Sequence, residues 1–256
     1  MDGGIALVTG ASAGIGRATT IAMARRGFHV VAVARRLDRL EDLAEEVRAM
    51  GCRMLPLALD LQDRGALDAL PESLPVEWRD VDVLVNNAGL ALGADPLVAG
   101  DPADWDRVLE TNVRALMVLT RRLLPGMLAR RRGHIINLGS IAARQPYPGG
   151  AVYCASKAAE LALTRALSME LVATPLRVTS IDPGLVETEF SLVRFRGDSE
   201  RAHRVYHDIQ ALQPEDVAEA VAWVATRPAH VQIGEMVLTP ACQATTTLVH
   251  RGPFPA

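Results

Sequence analysis

Short runs of β-branched residues alternate with longer helical stretches along nearly the whole chain, and this alternation restricts the fold more than any single motif. The candidate strands are Ile5–Thr9, Phe28–Ala34, Arg53–Asp60, Val81–Asn86, His134–Leu138, Leu176–Ile181 and Glu235–Thr239. Several are almost wholly apolar, as expected of strands covered on both faces. Helical patterns fill the gaps over Gly14–Arg26, Leu37–Met50, Pro102–Arg130, Gly150–Val172 and Pro214–Thr226. Strand, helix and parallel strand in this order imply right-handed crossovers. The expected fold is therefore α/β, a doubly wound parallel sheet of about seven strands with helices on both faces. A chain of 256 residues would also suffice for two small domains. No linker, repeat or low-complexity stretch divides it, so residues 1–256 are read as a single domain. Residues 184–212 break the rhythm. They are too many for an ordinary strand–helix loop and are expected to carry short helices of their own, as a substrate lid. Residues 245–256 receive no assignment.

Composition narrows the function. Apolar residues make up 49% of the chain, ample for a buried core, and the net charge of −3 leaves no basic footprint for nucleic acid. The run Arg130-Arg131-Arg132 falls where a helix should end, and cations there complement the helix dipole. Cys52, Cys154 and Cys242 are odd in number and far apart, which points to reduced thiols. No apolar stretch reaches spanning length and no signal-peptide pattern opens the chain, so a soluble, cytoplasmic protein without a membrane partner is expected. The six histidines show no metal-ligand spacing, so no metal is expected.

Directly after the first strand comes Thr9-Gly10-Ala11-Ser12-Ala13-Gly14-Ile15-Gly16-Arg17. Glycines let backbone approach a diphosphate and place it at a helix N-terminus, where free N–H groups favour anions. Taken alone the pattern is weak. Opening the first helix of a strand–helix–strand unit, it points to a Rossmann-like dinucleotide site. The second strand ends in Arg35-Arg36, where an NAD site usually places a carboxylate for the ribose 2′-hydroxyl. An arginine pair suits a 2′-phosphate instead, so the expected cofactor is NADP(H), with Arg17 near the same phosphate. Two further strand-end loops are Asp60-Leu61, placed to touch adenine, and Asn86-Asn87-Ala88-Gly89, whose small residues allow close approach.

Of the 27 lysines and arginines, one is a lysine: Lys157, four residues after Tyr153 in Tyr153-Cys154-Ala155-Ser156-Lys157. An i, i+4 pair shares one helix face. With three tyrosines in 256 positions, chance alone is a weak explanation of that spacing. Ser140 closes the fifth strand, and Asn112 sits inside the long helical stretch from Pro102.

These motifs in this order resemble the short-chain dehydrogenase/reductase family. The resemblance runs from Gly10-Ala11-Ser12-Ala13-Gly14-Ile15-Gly16 through Asn86-Asn87-Ala88-Gly89, Ser140, Tyr153-x-x-x-Lys157 and Pro183-Gly184. It implies an oxidoreductase acting on CH–OH groups. Reducing a carbonyl by hydride transfer leaves an alkoxide that needs a proton. Tyrosine can supply it, and a nearby ammonium favours the phenolate. One charge at 4 Å is worth roughly 4 kcal/mol at an effective dielectric of 20. By resemblance Tyr153 is the general acid/base, Lys157 supports it and bonds the nicotinamide ribose, and Ser140 holds the substrate oxygen. Asn112 links Lys157 to a proton relay through a main-chain distortion and a water. The Pro183-Gly184 loop, with Val186 and Thr188, covers the nicotinamide. A homotetramer or homodimer pairing the helices around Asn112 and Tyr153 is implied as well.

Within the family, Pro183 to Asp198, Ala88-Gly89-Leu90-Ala91-Leu92-Gly93 and Gln213-Pro214-Glu215-Asp216-Val217 are similar to the NADP-dependent 3-hydroxy acid dehydrogenases, which include the serine 3-dehydrogenases. That implies a small-molecule substrate of the serine or 3-hydroxyisobutyrate type. A small carboxylate calls for a bidentate cation, and Arg144, Arg194 and Arg196 are the candidates. Two other readings stand beside this one: a reductase of another ketone or aldehyde, with an acyl or secondary-metabolite substrate, and a catalytically idle NADP(H) sensor or scaffold. The intact Asn112, Ser140, Tyr153 and Lys157 set argues against the latter.

Overall fold

The computed structural model describes residues 4–254. In chain order the elements are β1 (Ile5–Thr9), α1 (Gly14–Arg25), β2 (His29–Ala34), α2 (Leu37–Ala49), β3 (Met54–Ala58), α3 (Arg64–Ser73), β4 (Val81–Asn86) and α4 (Pro102–Leu109). A π-helical turn (Glu110–Ala115) follows, then α5 (Leu116–Arg130), β5 (His134–Leu138), α6 (Ala151–Glu170) and β6 (Arg177–Pro183). Last come α7 (Phe190–Arg194), α8 (Ser199–Tyr206), α9 (Pro214–Ala225) and β7 (Glu235–Leu238). The strands form one sheet in the order β3-β2-β1-β4-β5-β6-β7, every pair parallel, which is the expected doubly wound arrangement.

Strand alternation sorts the core into two layers. Ala6, Val8, Val30, Ala32, Val83 and Val85 point to one face and pack with Ala18, Ala22 and Met23 of α1 and Val217 and Val221 of α9. Their neighbours Leu7, Val31, Val33 and Leu84 point to the other face, against Leu67 and Leu70 of α3 and Leu119 and Leu123 of α5. Both faces are apolar because both are covered. The chain leaves β1 toward β2 and β3, then crosses back to β4. The loops leaving β1 and β4 therefore diverge, and a crevice opens at the carboxyl ends of the central strands.

Three departures from the sequence pattern have physical causes. The helix α3 escaped notice because Gly65 and Pro71 dilute its pattern. It starts on Asp63, whose carboxylate accepts from the Ala66 N–H at 3.0 Å. The third strand is shorter than Arg53–Asp60 and contains Pro56, which is tolerated because β3 lies at the sheet edge. The stretch Pro102–Arg130 is not one uniform helix: the π turn interrupts it at Asn112.

The arginine run does end α5, with Arg131 in the left-handed conformation at φ 53°. Arg130 and Arg132 pair with Asp80 and Asp82, each at 3.1 Å, tying that helix end to the start of β4. The segment after β7 folds back as a small loop with an antiparallel bridge between Gln243 and Val249. Residues 255 and 256 of that tail lie outside the described residues.

Candidate active site

The crevice has a volume of about 480 Å³, and its floor is the glycine turn. Gly10 sits at φ +68°, a conformation that side-chain-bearing residues rarely adopt. A Cβ on Gly16 would lie 2.2 Å from the carbonyl oxygen of Gly10, so the turn closes only without one. Ala13 precedes α1 without a side-chain cap, and the first turn of α1 carries no acid. Its N–H groups therefore face the crevice unsatisfied by side chains, and this end of the helix fits an anion. Ser12, Ala13, Gly14 and Ile15 line the same wall.

Arg35 and Arg36 flank that wall. The Arg36 guanidinium donates to the Ser12 hydroxyl from Nε and Nη2, both at 3.2 Å, and to Glu189 from Nη1 at 2.9 Å. Arg39 holds the other oxygen of Glu189 at 2.6 Å. The bond from Arg39, aided by the bond and charge of Arg36, keeps the Glu189 carboxyl below its usual range against the opposing effect of burial. Ser12 and two cations beside an open helix N-terminus fit a phosphorylated ribose. Arg17, expected near the same phosphate, is turned away: it pairs with Glu46 at 2.5 Å and does not line the crevice. Asp60, Leu61, Asn87, Ala88 and Gly89 line the crevice. Asn87 bonds backbone, donating from Nδ2 to the Thr9 carbonyl at 2.8 Å. The Thr9 hydroxyl accepts from the N–H groups of both Asn87 and Ala88 at 3.0 Å, so one threonine on β1 fixes the start of the loop after β4.

Deeper in, β5 and α6 bring Ser140, Tyr153 and Lys157 to the same wall. Ser140 caps the turn Ile141–Ala143, its Oγ accepting from the Ala142 N–H at 3.1 Å. Lys157 is buried and donates to the Leu138 carbonyl at 2.6 Å and to Glu160 Oε2 at 2.8 Å. Burial by itself would lower the lysine's pKa. The Glu160 charge and the phenol site of Tyr153 outweigh it, and the pKa is raised. Burial pushes Glu160 up to about 7 against the pull of Lys157, so both groups hold protons more tightly than in water.

Asn112 stands in the π turn. Its amide Oδ1 accepts from the Leu90 N–H at 2.8 Å, and its Nδ2 donates to the Leu90 carbonyl at 2.9 Å and to the Ser156 hydroxyl at 3.0 Å. The asparagine thus clamps the loop after β4 against α6 from within the π turn.

The residues 184–212 form an excursion closed at its base. Glu187 donates to the Leu212 carbonyl at 2.9 Å, and Leu212 donates to the Leu185 carbonyl at 3.0 Å. α7 and α8 lie within it, and Phe190, Val193, Arg194 and Tyr206 face the crevice. Pro183, Gly184, Val186 and Thr188 line it too. The Thr188 hydroxyl accepts from the Phe190 N–H at 3.2 Å.

Of the three candidate carboxylate ligands, Arg194 alone lines the crevice. It donates to the Tyr147 hydroxyl at 2.8 Å and to the Gly93 carbonyl at 2.9 Å. Arg144 is held by Asp182 and Glu235, and Arg196 by Asp104; neither lines the crevice. Burial opposes the Arg144 charge, but its two carboxylate partners win and its pKa is raised.

Sequence reading overlooked several residues of the site: Thr9, Tyr147, Glu160, Glu189 and Gln243. The last is buried after β7 and accepts from the Leu185 N–H at 2.8 Å, holding the Pro183-Gly184 loop from behind. Glu160 had one readable signal, an acid three residues after the lone lysine on a helix.

Comparison with known proteins identifies the family. The NADP-dependent 3-hydroxy acid dehydrogenase YdfG of Salmonella typhi is 48% identical over 249 residues, spanning 96% of this chain and 99% of the relative. The NADP-dependent 3-hydroxy acid dehydrogenase of Schizosaccharomyces pombe is 42% identical over 253 residues, spanning 98% of each. Among solved structures, the closed form of serine dehydrogenase complexed with NADP+ matches with a TM-score of 0.91 and 46% identity, over 96% of this chain and 99% of that one. The model of the short chain dehydrogenase family matches residues 4–198, and with the glycine turn, Ser140, Tyr153 and Lys157 gathered on one crevice, the chain belongs to that family.

Proposed function

We propose that the protein is an NADP(H)-dependent oxidoreductase that interconverts the 3-hydroxyl and 3-oxo forms of a small hydroxy acid of the serine or 3-hydroxyisobutyrate type. The observation that carries this reading is the placement of Arg194 on the same crevice as Ser140, Tyr153 and Lys157. Relatives named for NADP and 3-hydroxy acids at 48% and 42% identity support it.

A bound nicotinamide cofactor supplies or accepts the hydride. The residues of the chain do the rest. The N-terminus of α1, with Ser12, Arg35 and Arg36, holds the phosphates. The loop Asn87-Ala88-Gly89 and the Pro183-Gly184 loop with Val186 and Thr188 bracket the cofactor. Ser140 donates to the substrate oxygen and orients it toward Tyr153. The Tyr153 hydroxyl gives its proton to that oxygen in the reduction and takes it back in the oxidation. Lys157, fixed by Leu138 and Glu160, keeps a positive charge beside Tyr153 and has a third N–H for a ribose hydroxyl. Asn112 holds the loop that faces them. Arg194, whose three nitrogens already bond Gly93, Tyr147 and Gly149, presents its positive charge to the substrate carboxylate, and Phe190 and Tyr206 close residues 184–212 over it.

The cellular setting belongs to the same reading: a cytoplasmic homotetramer built on the helices around Asn112 and Tyr153. Leu109 and Met117 stand 43% and 46% exposed on the first of these and suit such a seam. Light scattering of the purified chain tests that assembly.

The experiment that tests the activity is a panel of L- and D-serine, L-allo-threonine, 3-hydroxyisobutyrate, 3-hydroxypropionate and simple secondary alcohols, each with NADP+ and NAD+. Turnover of at least one 3-hydroxy acid with NADP+, at a kcat/KM well above that of the uncharged alcohols, is expected. Preference for uncharged alcohols or ketones would move the protein to another reductase class. Absence of any NADP(H) turnover would favour the idle sensor.

A further inference from the structure

Glu160 is the least explained polar residue near the site. It lies on α6, one turn beyond Lys157, and is 2% exposed. Its Oε2 accepts from Lys157 at 2.8 Å, while Oε1 is buried with no hydrogen-bond partner among the described residues. A side chain there for packing alone would be apolar, because a half-satisfied buried carboxylate is costly. Nor does the carboxylate tie the helix to its surroundings. Its contact is with the amino group of Lys157, whose charge is coupled to the Tyr153 phenol.

The charges around it form a closed set. Lys157 faces it from its own helix, and Tyr153 acts on Lys157 in turn. Asp182 faces it from β6, and that carboxylate accepts from Ser180 Oγ at 2.6 Å and from Arg144. Arg144 in turn pairs with Glu235 of β7, which Arg165 of α6 holds at 2.6 Å. Asp182 is thus paired with Arg144, and Glu160 is the carboxylate in contact with Lys157, while the Asp182 charge still raises the pKa of both. Of the three ammonium N–H groups, Leu138 and Glu160 take two. The carboxylate therefore decides both where the third points and how much net positive charge the phenol feels.

We propose that Glu160 is a positioning residue for the Tyr153–Lys157 pair: its closed-off carboxylate anchors the ammonium from behind and, by its charge, sets how strongly that ammonium supports a phenolate on Tyr153. This rests on the acid/base reading of Tyr153 and Lys157. The direction follows from Coulomb's law. An ionised Glu160 cancels part of the ammonium's field, and a neutral residue in its place restores it.

The test uses Glu160→Gln, which keeps the shape and the acceptor, and Glu160→Met, which fills the space without either. The chain has three tyrosines, so the phenolate absorbance of Tyr153 can be titrated as the difference from Tyr153→Phe, with and without NADP+. In Glu160→Gln that signal is expected about one pH unit lower than in wild type, with NADPH affinity by fluorescence unchanged. The acidic limb of alcohol oxidation, with the fastest substrate of the panel, should move the same way. Glu160→Met should show the shift together with several-fold weaker NADPH binding, because Lys157 loses its anchor. Phenolate signals and pH limbs at the wild-type position in both variants would overturn the proposal. The two variants guard against one failing to fold, checked by circular dichroism. A Tyr153→Phe enzyme as active as wild type would instead sink the acid/base reading itself, and this inference with it.

Discussion

Arg36 donates to Glu189 across the mouth of the crevice at 2.9 Å while resting on Ser12 at 3.2 Å. One guanidinium thus joins the glycine turn, the end of β2 and the start of the 184–212 excursion, residues far apart in the chain. On the proposed reading, a 2′-phosphate bound there would meet a cation already shared with an acid of the 184–212 excursion.

The first prediction concerns that side chain. A charge-assisted hydrogen bond is worth about 1.5–3 kcal/mol, so Arg36→Ala should weaken NADP(H) roughly 10- to 100-fold. Binding of NAD(H), which has no 2′-phosphate, should change only a few-fold. Fluorescence titration of NADPH and NADH against both proteins measures the ratio.

Tyr153→Phe removes the proposed proton donor and leaves the ring beside Phe190, whose centroid lies 5.6 Å away. A general acid contributes about 10²- to 10⁴-fold, so kcat should fall within or beyond that range while NADPH affinity holds. Residual turnover at the wild-type rate would show that the proton comes from elsewhere.

Arg194→Lys keeps the charge and removes the planar fork. KM for the hydroxy acid should rise about 10-fold or more, with KM for an uncharged secondary alcohol nearly unchanged. Arg194 also bonds Gly93 and Tyr147, so thermal melting must accompany the kinetics. Equal losses for both substrates would mark it as a brace for the loops and not a carboxylate ligand.

The fourth prediction is a pH dependence of stability. His134 is buried in β5. Its Nε2 lies 2.8 Å from the Thr179 hydroxyl, which itself donates to the Ile233 carbonyl at 2.6 Å. The hydroxyl proton is thus committed, so the ring carries its hydrogen on Nε2, and Nδ1 is left without a partner among the described residues. Burial, aided by the charge of Arg177, lowers the ring's pKa from 6.5 to about 3. The unfolded chain binds a proton between those values and the folded chain does not. The contribution of His134 is therefore full above pH 6.5 and is lost as pH falls toward 3, by up to roughly 5 kcal/mol. Chemical denaturation of His134→Gln across that window should give a visibly flatter pH profile than wild type.

The sheet was legible because its strands are buried on both faces and read as apolar runs. The boundaries of β1, β4 and β5 came out residue for residue. The glycine turn, Ser140, Tyr153 and Lys157 were legible because each sits at a strand end or one helical turn from another. The rest depended on which residue an arginine meets in space, and spacing carries no such information. Arg17 was expected at the phosphate and Arg144 and Arg196 at the carboxylate, but their partners Glu46, Asp182 and Asp104 are remote along the chain. Gln243 was hidden for the same reason, since its target, the Leu185 N–H, lies 58 residues away.

The π turn at Glu110–Ala115 has a consequence for engineering. A wide turn forfeits regular hydrogen bonding, and it persists here with Asn112 gripping Leu90 and Ser156. Removing one residue from that stretch would restore a straight, better-bonded rod, and by melting temperature alone it would look like an improvement. It would also rotate the asparagine off its target and release the loop facing the reaction. Selection for thermostability in this scaffold is therefore expected to find mutations there that trade turnover for heat resistance.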